Sequence, residues 1–398
     1  MAKSDSESKS ILIFGGNGFI GSHVSERLLD SGHYLTLISS RGSFTWDTSS
    51  TVQSRTDRHY RCDRYNPSRC GEELWNLIDQ SPSKFDAVID FSAYRLEAVE
   101  PFYERLVKAN GADESSKPLY IYISTDSVYE VCNRLSEERL LKEADSVRPS
   151  EEKELVEMAR GDSYGHRKLQ IEEYLIDQRL NHNGLPYTIL RLPDVLGERD
   201  STQRWWKYQL WIRYGLSVNR PVKVPTFARY LSTSYVDVKD VGAVIELILQ
   251  QRPKSHDQIF NIGFPQPFSV LDLLEEMKLH CKAPDWSITN SGPSSDADSD
   301  ETVSYFPSVT RGGIDTMKAR TELGWQPMMD WRDSVKRIVD FYLDAESKYE
   351  GEMVDVARGL MRDLKLNSEE KRKFMDACRI GGSLSQPEPK KRKGNDEL

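Results

Sequence analysis

The sequence predicts an α/β protein with a doubly wound parallel sheet and a smaller C-terminal α/β lobe. Three observations carry this reading. From Ser10 onward, short β-branched runs alternate with longer amphipathic stretches, the pattern of strands joined by crossover helices. The first run leads directly into a glycine-rich turn and then a helical pattern. Beyond Pro193 the alternation loosens into smaller elements.

In chain order, ILIF (11–14), YLTLI (34–38), AVID (87–90), LYIYIS (119–124) and YTILRL (187–192) read as buried strands, because each is short, apolar and followed by turn residues. A further strand ends at Cys62-Asp63-Arg64. Residues 19–32, 97–111 and 163–180 repeat apolar side chains at helical spacing. Past Pro193, the expected elements are a Trp-rich helix near 203–215, a strand over 232–238, a helix near 239–251 and a strand over 258–263. The Ser/Asp-rich stretch 291–304 reads as a solvated loop. These boundaries divide the chain into a disordered N-terminus (1–9), a dinucleotide-binding Rossmann-type domain (10–192, with 232–251 contributing), a substrate lobe (193–231 and 252–345), and a helical extension with a basic tail (346–398).

The chain has 398 residues, with 54 Lys+Arg against 63 Asp+Glu for a net charge of −9. That acidity argues against coating nucleic acid by bulk charge, which rests on Lys/Arg neutralising phosphates. Eight Trp, 18 Tyr and 13 Phe supply the apolar bulk for a sizeable core. Five scattered cysteines without a C-x-x-C pair read as reduced thiols, and no metal site is expected. No run is long enough for a membrane helix, and the first ten residues are too polar for a signal peptide. A soluble protein of the cytoplasm or nucleus is the expectation. The basic run 389–393 matches a nuclear-localisation pattern; its alternative is a solvated end.

The turn GGNGFIG places Gly15, Gly18, Phe19, Ile20 and Gly21 between strand and helix, where backbone N–H groups and the helix dipole favour a pyrophosphate. An acid at the end of the second strand would select NAD through the ribose 2′-OH. Ser39, Ser40 and Arg41 stand there instead, so the reading is NADP, with NAD as the alternative and a merely solvated Arg41 as the bland case. Asp63 is a candidate for the adenine amino group.

Thr125, Asp126 and Ser127 follow a buried strand, at the sheet end where open α/β folds place ligands. Tyr164 and Lys168 open a long amphipathic helix. Four helical residues span about 6 Å and share one face, so the ammonium can lower the phenol pKa and let it exchange a proton. A second copy, Tyr235 to Lys239, lies in a strand pattern, where four residues span about 13 Å, and is assigned to structure.

GGNGFIG, FSAY (91–94), ISTDSVY (123–129), YGHRK (164–168), LRLPDVLG (190–197), YVDVKDVG (235–242) and LGWQP (323–327) together resemble the extended short-chain dehydrogenase/reductase family, the NAD-dependent epimerase/dehydratase group, over about 10–345. The resemblance implies Tyr164 as general acid/base, Lys168 as its partner and a cofactor ligand, and Thr125 as the hydroxyl orienting substrate. It places Asp126 where dehydratases carry an acid, and Ser92, Ala93 and Tyr94 beside the cofactor. It further implies an oxidoreductase or epimerase with a nucleotide-sugar-like substrate, bound in part by Ser127, and a homodimer. Two departures stand out. Ser127 replaces the second dehydratase acid, and Glu130 replaces the family's common glycine.

The spacing of ARGDSYGHRK (159–168) and then LPDVLGERDSTQRWWKYQLW (192–211) also resembles atypical members of the same fold, including the chloroplast stem-loop RNA-binding proteins. Arg204, Trp205, Trp206, Lys207, Tyr208, Trp211 and Arg213 interleave aromatic and basic groups. They fit a core-packed helix, a nucleotide-sugar pocket through Arg204 and Trp205, or a single-stranded RNA contact. RNA is the disfavoured partner. The alternative function is therefore a non-catalytic dinucleotide-binding protein that contacts RNA or a protein.

Overall fold

The computed structural model of the chain describes residues 7–80, 84–111, 113–290, 306–307 and 309–379. The acidic stretch 291–304 and the basic run 389–393 lie outside the described residues, as do residues 1–6. In chain order the strands are β1 (Ser10–Phe14), β2 (Tyr34–Ser39), β3 (Arg58–Arg61), β4 (Ala87–Asp90), β5 (Leu119–Thr125), β6 (Tyr187–Leu192), β7 (Asp194–Leu196), β8 (Val222–Val224), β9 (Tyr235–Asp237), β10 (Gln258–Asn261) and β11 (Ile288–Asn290).

Seven of them form one parallel sheet in the order β10-β6-β5-β4-β1-β2-β3. Winding reverses between β1 and β4, which makes the carboxyl ends of those strands the ligand crevice of the fold. Both sheet faces are covered, so β1 is apolar at successive positions rather than alternating. Ile11 and Ile13 pack with Val24 and Leu28 of the helix Phe19–Asp30 and with Val241, Val244 and Ile248 of the helix Val238–Gln250. Leu12 and Phe14 face the other way, toward Leu74, Ile78, Phe102 and Leu106. Each fully buried side chain of this kind contributes about 1.5–3 kcal/mol.

The strand expected over 232–238 is shorter than its composition suggests. Asp237 accepts the Lys239 N–H at 2.8 Å and caps the helix Val238–Gln250, which ends the strand after three residues. Tyr235 and Lys239 therefore sit on different elements. Lys239 pairs with Glu198 at 3.9 Å.

The chain divides into two compact units. The first holds residues up to 201 together with 233–267 and 309–330; the second holds 202–232, 268–308 and 331 onward. Residues 252–267 and 309–330 thus belong with the sheet, because β10 is its edge strand and Asn261 anchors the 315 region by donating to the Asp315 carbonyl at 3.1 Å. The helices Trp331–Lys348 and Glu350–Asp363 pack in the second unit, where Arg213 pairs with Glu346 and Lys207 with Asp363.

A second correction concerns the cysteines. Cys62 and Cys70 form a disulfide with Cα atoms 4.8 Å apart, across a turn of residues that carries no C-x-x-C signature. Cys132, Cys281 and Cys378 are thiols. Among the described residues, no helix is long and apolar enough to cross a membrane, and no cluster of three or more His, Cys, Asp or Glu could hold a metal.

Candidate functional site

The phosphate turn is built by close packing. A Cβ at Gly21 would stand 2.1 Å from the Gly15 carbonyl oxygen, so only glycine lets the helix Phe19–Asp30 settle against the turn after β1. That helix has Gly18 at its N-cap and no side-chain cap, leaving the N–H groups at Phe19, Ile20 and Gly21 directed at the sheet's carboxyl end. This donor set fits a dinucleotide pyrophosphate. The Asn17 side chain donates to the carbonyls of Arg41 and Ser43, both at 2.9 Å, and so holds the loop after β2 beside the turn.

The Ser39 hydroxyl donates to the Arg41 carbonyl at 2.6 Å and meets His59 Nε2 at 2.8 Å, so it shapes the loop. Ser40 and Arg41 are exposed. Asp63 is also exposed, its carboxylate accepting the Tyr65 N–H at 3.1 Å. Its neighbour Arg64, not singled out from sequence, is buried. It pairs with Asp90 at 2.7 Å at the ends of β3 and β4, and Tyr120 donates to the same carboxylate at 2.6 Å. Asp90 also accepts the Ser92 N–H at 3.0 Å, which fixes the 92–94 segment beside the turn.

Thr125 ends β5, and its hydroxyl accepts the Ser127 N–H at 3.2 Å, turning the chain into the 3-10 segment Asp126–Val131. The helix Ser163–Asn181 docks on that segment through Gly165, where a Cβ would stand 2.2 Å from the Ser127 carbonyl oxygen. The Y-G-x-x-K spacing thus does two things: glycine permits the approach, and the helical repeat carries Tyr164 and Lys168 to one side. The Thr125 hydroxyl donates to Asp126 at 3.3 Å and lies close enough to Tyr164 to act on its phenol. Loss of water pushes the phenol above its ordinary value, with Tyr94, Asp126 and Asp162 adding to the shift and Thr125 opposing it. Tyr94 is 39% exposed, with its ring 6.4 Å from that of Tyr164. Asp126 is buried, and burial, followed by the charges of Asp194 and Glu130, holds its carboxyl well above the usual range.

Lys168 is 2% exposed. Its ammonium donates to the carbonyls of Ala93 at 3.0 Å and Ile123 at 2.6 Å, and lies 4.4 Å from the Tyr122 ring centroid and 5.7 Å from that of Tyr94. Burial pulls its pKa down to about 7 against the opposing pull of Asp90 and Glu172. The unfolded chain therefore binds the extra proton between about pH 7 and the ordinary lysine value near 10.4, and stability of the cofactor-free protein rises with pH across that window. In urea titrations from about pH 7 to 9, wild type should gain on Lys168→Met by about 1 kcal/mol per pH unit. Parallel pH dependences would contradict the assignment.

Behind the turn, Glu172 and Arg191 form a buried ion pair at 2.6 Å, each side chain 1% exposed. Ser124 donates to Glu172, and Arg191 donates to Tyr129 at 3.0 Å, which in turn donates to Asn261 at 2.8 Å. The pair couples β5, β6, β10 and the Tyr164 helix. Glu130 accepts the N–H groups of Thr310 and Arg311, both at 2.9 Å, and the Thr310 hydroxyl at 2.6 Å. In the place of a glycine, this carboxylate fastens the 309–311 segment to the Asp126–Val131 segment.

Arg204 and Trp205 belong to the second unit, in the helix Arg204–Tyr214. Trp205 is 3% exposed, Trp206 stacks on Tyr342 at 5.1 Å, and Trp211 donates to the Arg220 carbonyl at 2.8 Å. These rings build a core rather than a stacking surface. Of the three readings of this helix, the core-packed one describes the aromatic face.

The family model described as "NAD dependent epimerase/dehydratase family" matches residues 11–263. A curated relative, the chloroplast stem-loop binding protein of 41 kDa b from Arabidopsis thaliana, is 26% identical over 348 residues, covering 82% of this chain and 77% of that protein. Among solved structures, the UDP-glucose 4-epimerase of Thermotoga maritima with UDP-glucose matches with a TM-score of 0.60 and 20% identity, covering 84% of this chain and 99% of that one. The UDP-glucose 4-epimerase of Stenotrophomonas maltophila, with bound NAD and formylated UDP-arabinopyranose, gives 0.62 and 19% over 85% and 99%. The dTDP-glucose 4,6-dehydratase of Bacillus anthracis in complex with NAD gives 0.60 and 17% over 86% and 99%.

Proposed function

Because the chain belongs to the NAD-dependent epimerase/dehydratase family and is an enzyme of the extended short-chain dehydrogenase/reductase type, we propose that it is an NADP-preferring oxidoreductase or epimerase acting on a nucleotide-sugar-like hydroxyl or carbonyl. The observation that carries this reading is the convergence of Tyr164, Thr125, Asp126 and Lys168 at the end of β5, next to the switch point of the sheet. The Gly15 to Gly21 turn would hold the pyrophosphate of a bound dinucleotide, and the 92–94 segment and Lys168, which donates to the Ala93 carbonyl, would face its ribose and nicotinamide end. A bound nicotinamide dinucleotide supplies hydride exchange at the substrate carbon. Tyr164 moves the proton at the substrate oxygen, and Thr125 orients that oxygen. Ser127 contributes to the substrate side.

Asp126 has no second acid beside it at position 127, which favours hydride exchange at one carbon over dehydration. Its depressed acidity suits it to hold a proton near the reacting oxygen. The RNA-binding alternative rests on an aromatic-basic face at 204–213. Burial of Trp205, Trp206 and Trp211 removes its stacking surface, so the enzymatic reading is preferred.

Adding a uridine or thymidine diphosphate hexose to the protein with NADP should produce a transient nicotinamide reduction in stopped-flow absorbance. No reduction with any nucleoside diphosphate sugar would remove the substrate class. For the cofactor, wild type should bind NADP more tightly than NAD, and Arg41→Ala should weaken NADP by about tenfold while leaving NAD within about twofold. Tighter NAD binding by wild type would overturn the NADP assignment.

A further inference from the structure

The disulfide lies at a particular place in the fold. Cys62 follows β3, and its N–H donates to the Ser39 carbonyl at 2.9 Å, at the end of β2. Cys70 precedes Gly71, the N-cap of the helix Glu72–Asp79, and its sulfur lies 3.9 Å from the Asp63 carbonyl oxygen. The bridge therefore closes the 63–69 turn, which carries Asp63, exposed Tyr65 and the Arg64 that pairs with Asp90. Within the turn, Asn66 N–H donates to the Asp63 carbonyl and Arg69 N–H to the Asn66 carbonyl, both at 2.9 Å. The Cys70 N–H also donates to the Pro67 carbonyl at 3.1 Å, Arg64 anchors the start of the turn to Asp90, and the bridge is the covalent tie between its two ends.

We propose that Cys62 and Cys70 are a thiol–disulfide exchange site that sets the affinity of the adjoining adenine subsite for the dinucleotide. The proposal rests on the reading of the Asp63 turn as that subsite. With the bridge closed, the Asp63 turn is held in one arrangement before ligand arrives; with it open, binding must order the turn, and affinity falls by that cost. The oxidant is a low-molecular-weight disulfide. One cysteine thiolate attacks it and displaces one thiolate, giving a mixed disulfide. The second cysteine attacks the protein sulfur of that mixed disulfide, the Cys62–Cys70 bond forms, and the second small thiolate leaves. Two electrons pass from the protein sulfurs to the small disulfide, and the two protons released by the cysteines end on the two small thiols. Cys62 and Cys70 are selected by proximity: they already meet in one bridge, whereas Cys132, Cys281 and Cys378 are free thiols.

The test uses the full chain equilibrated with dithiothreitol or with oxidised glutathione, the state of each cysteine being read by alkylation and peptide mass. Dissociation constants are then measured for NADP, NAD and 5′-AMP. The oxidised protein should bind NADP and 5′-AMP about tenfold more tightly than the reduced protein. The Cys62→Ser/Cys70→Ser double variant should bind with the reduced-state affinity under both conditions. Equal affinities in the two verified states, no bridge formed by oxidised glutathione, or a redox response surviving in the double variant would each overturn the proposal. The wild-type comparison stands without the variant, so a variant that fails to fold does not decide the matter. If neither state binds any of the three ligands, the dinucleotide reading of the turn falls together with the switch, whereas equal tight binding in both states removes the switch alone.

Discussion

Tyr164→Phe is expected to lower turnover by roughly 10²–10⁴-fold while changing the dinucleotide dissociation constant by less than about twofold. The substitution removes one oxygen and keeps the ring, which lies 6.4 Å from that of Tyr94, so the pocket wall is preserved. On the proposed mechanism, what disappears is the proton that moves at the substrate oxygen, in a position close enough to Asp126 to feel its charge. Steady-state kinetics and a cofactor titration on the same preparation separate the two effects. Turnover within about tenfold of wild type would mean that another group carries the proton.

Arg191→Met should cost about 3–5 kcal/mol of stability, measured by denaturant unfolding, because it strands the Glu172 carboxylate in the interior. The loss should be local to the pair rather than to packing volume. Adding Glu172→Leu to the same chain should therefore restore most of the lost stability, since the charge left without compensation is then gone. A cost below about 1 kcal/mol for the single variant, the range of exposed pairs, would mean that the carboxylate has found water or another donor. The pair is structural, yet it supports the site: it ties β6 to the helix that presents Lys168 and, through Tyr129, to the turn that begins at Asp126.

The chemistry-bearing groups were legible in the chain because their relations are short in sequence. Tyr164 and Lys168 are one helical repeat apart, and the glycines of the first turn stand between a strand and a helix, so spacing offered both as candidates and the resemblance to the family implied their roles. The docking role of Gly165 was not legible, since it depends on how closely the helix approaches Ser127, a contact across 38 positions. Glu130 was visible as a departure from the family's glycine. Its use became clear only with Thr310 and Arg311 beside it, some 180 residues along the chain.

The aromatic-basic helix shows why local pattern was insufficient in the other direction. Its interleaved Trp, Tyr, Lys and Arg residues suit a ligand-facing surface and a buried face equally well, and only its neighbours distinguish them. Tyr342 beneath Trp206, and Glu346 and Asp363 facing the cations, turn it into an interior element of the second unit. The same neighbours draw the region after 345 into a packed body, although its charged composition read as an extension.

Order and spacing along the chain were enough for the α/β class and the parallel sheet, because both are encoded by hydrophobic period and by turns only a few residues long. Three-dimensional packing alone decided which charges are paired, which aromatic rings are covered and which cysteines meet. Arg64 with Asp90, Glu172 with Arg191 and Cys62 with Cys70 are brought together by strand order and the path of the connecting turns. Side-chain chemistry states what each group can do; burial and proximity, which arise only when the sheet closes its crevice, determine what it does.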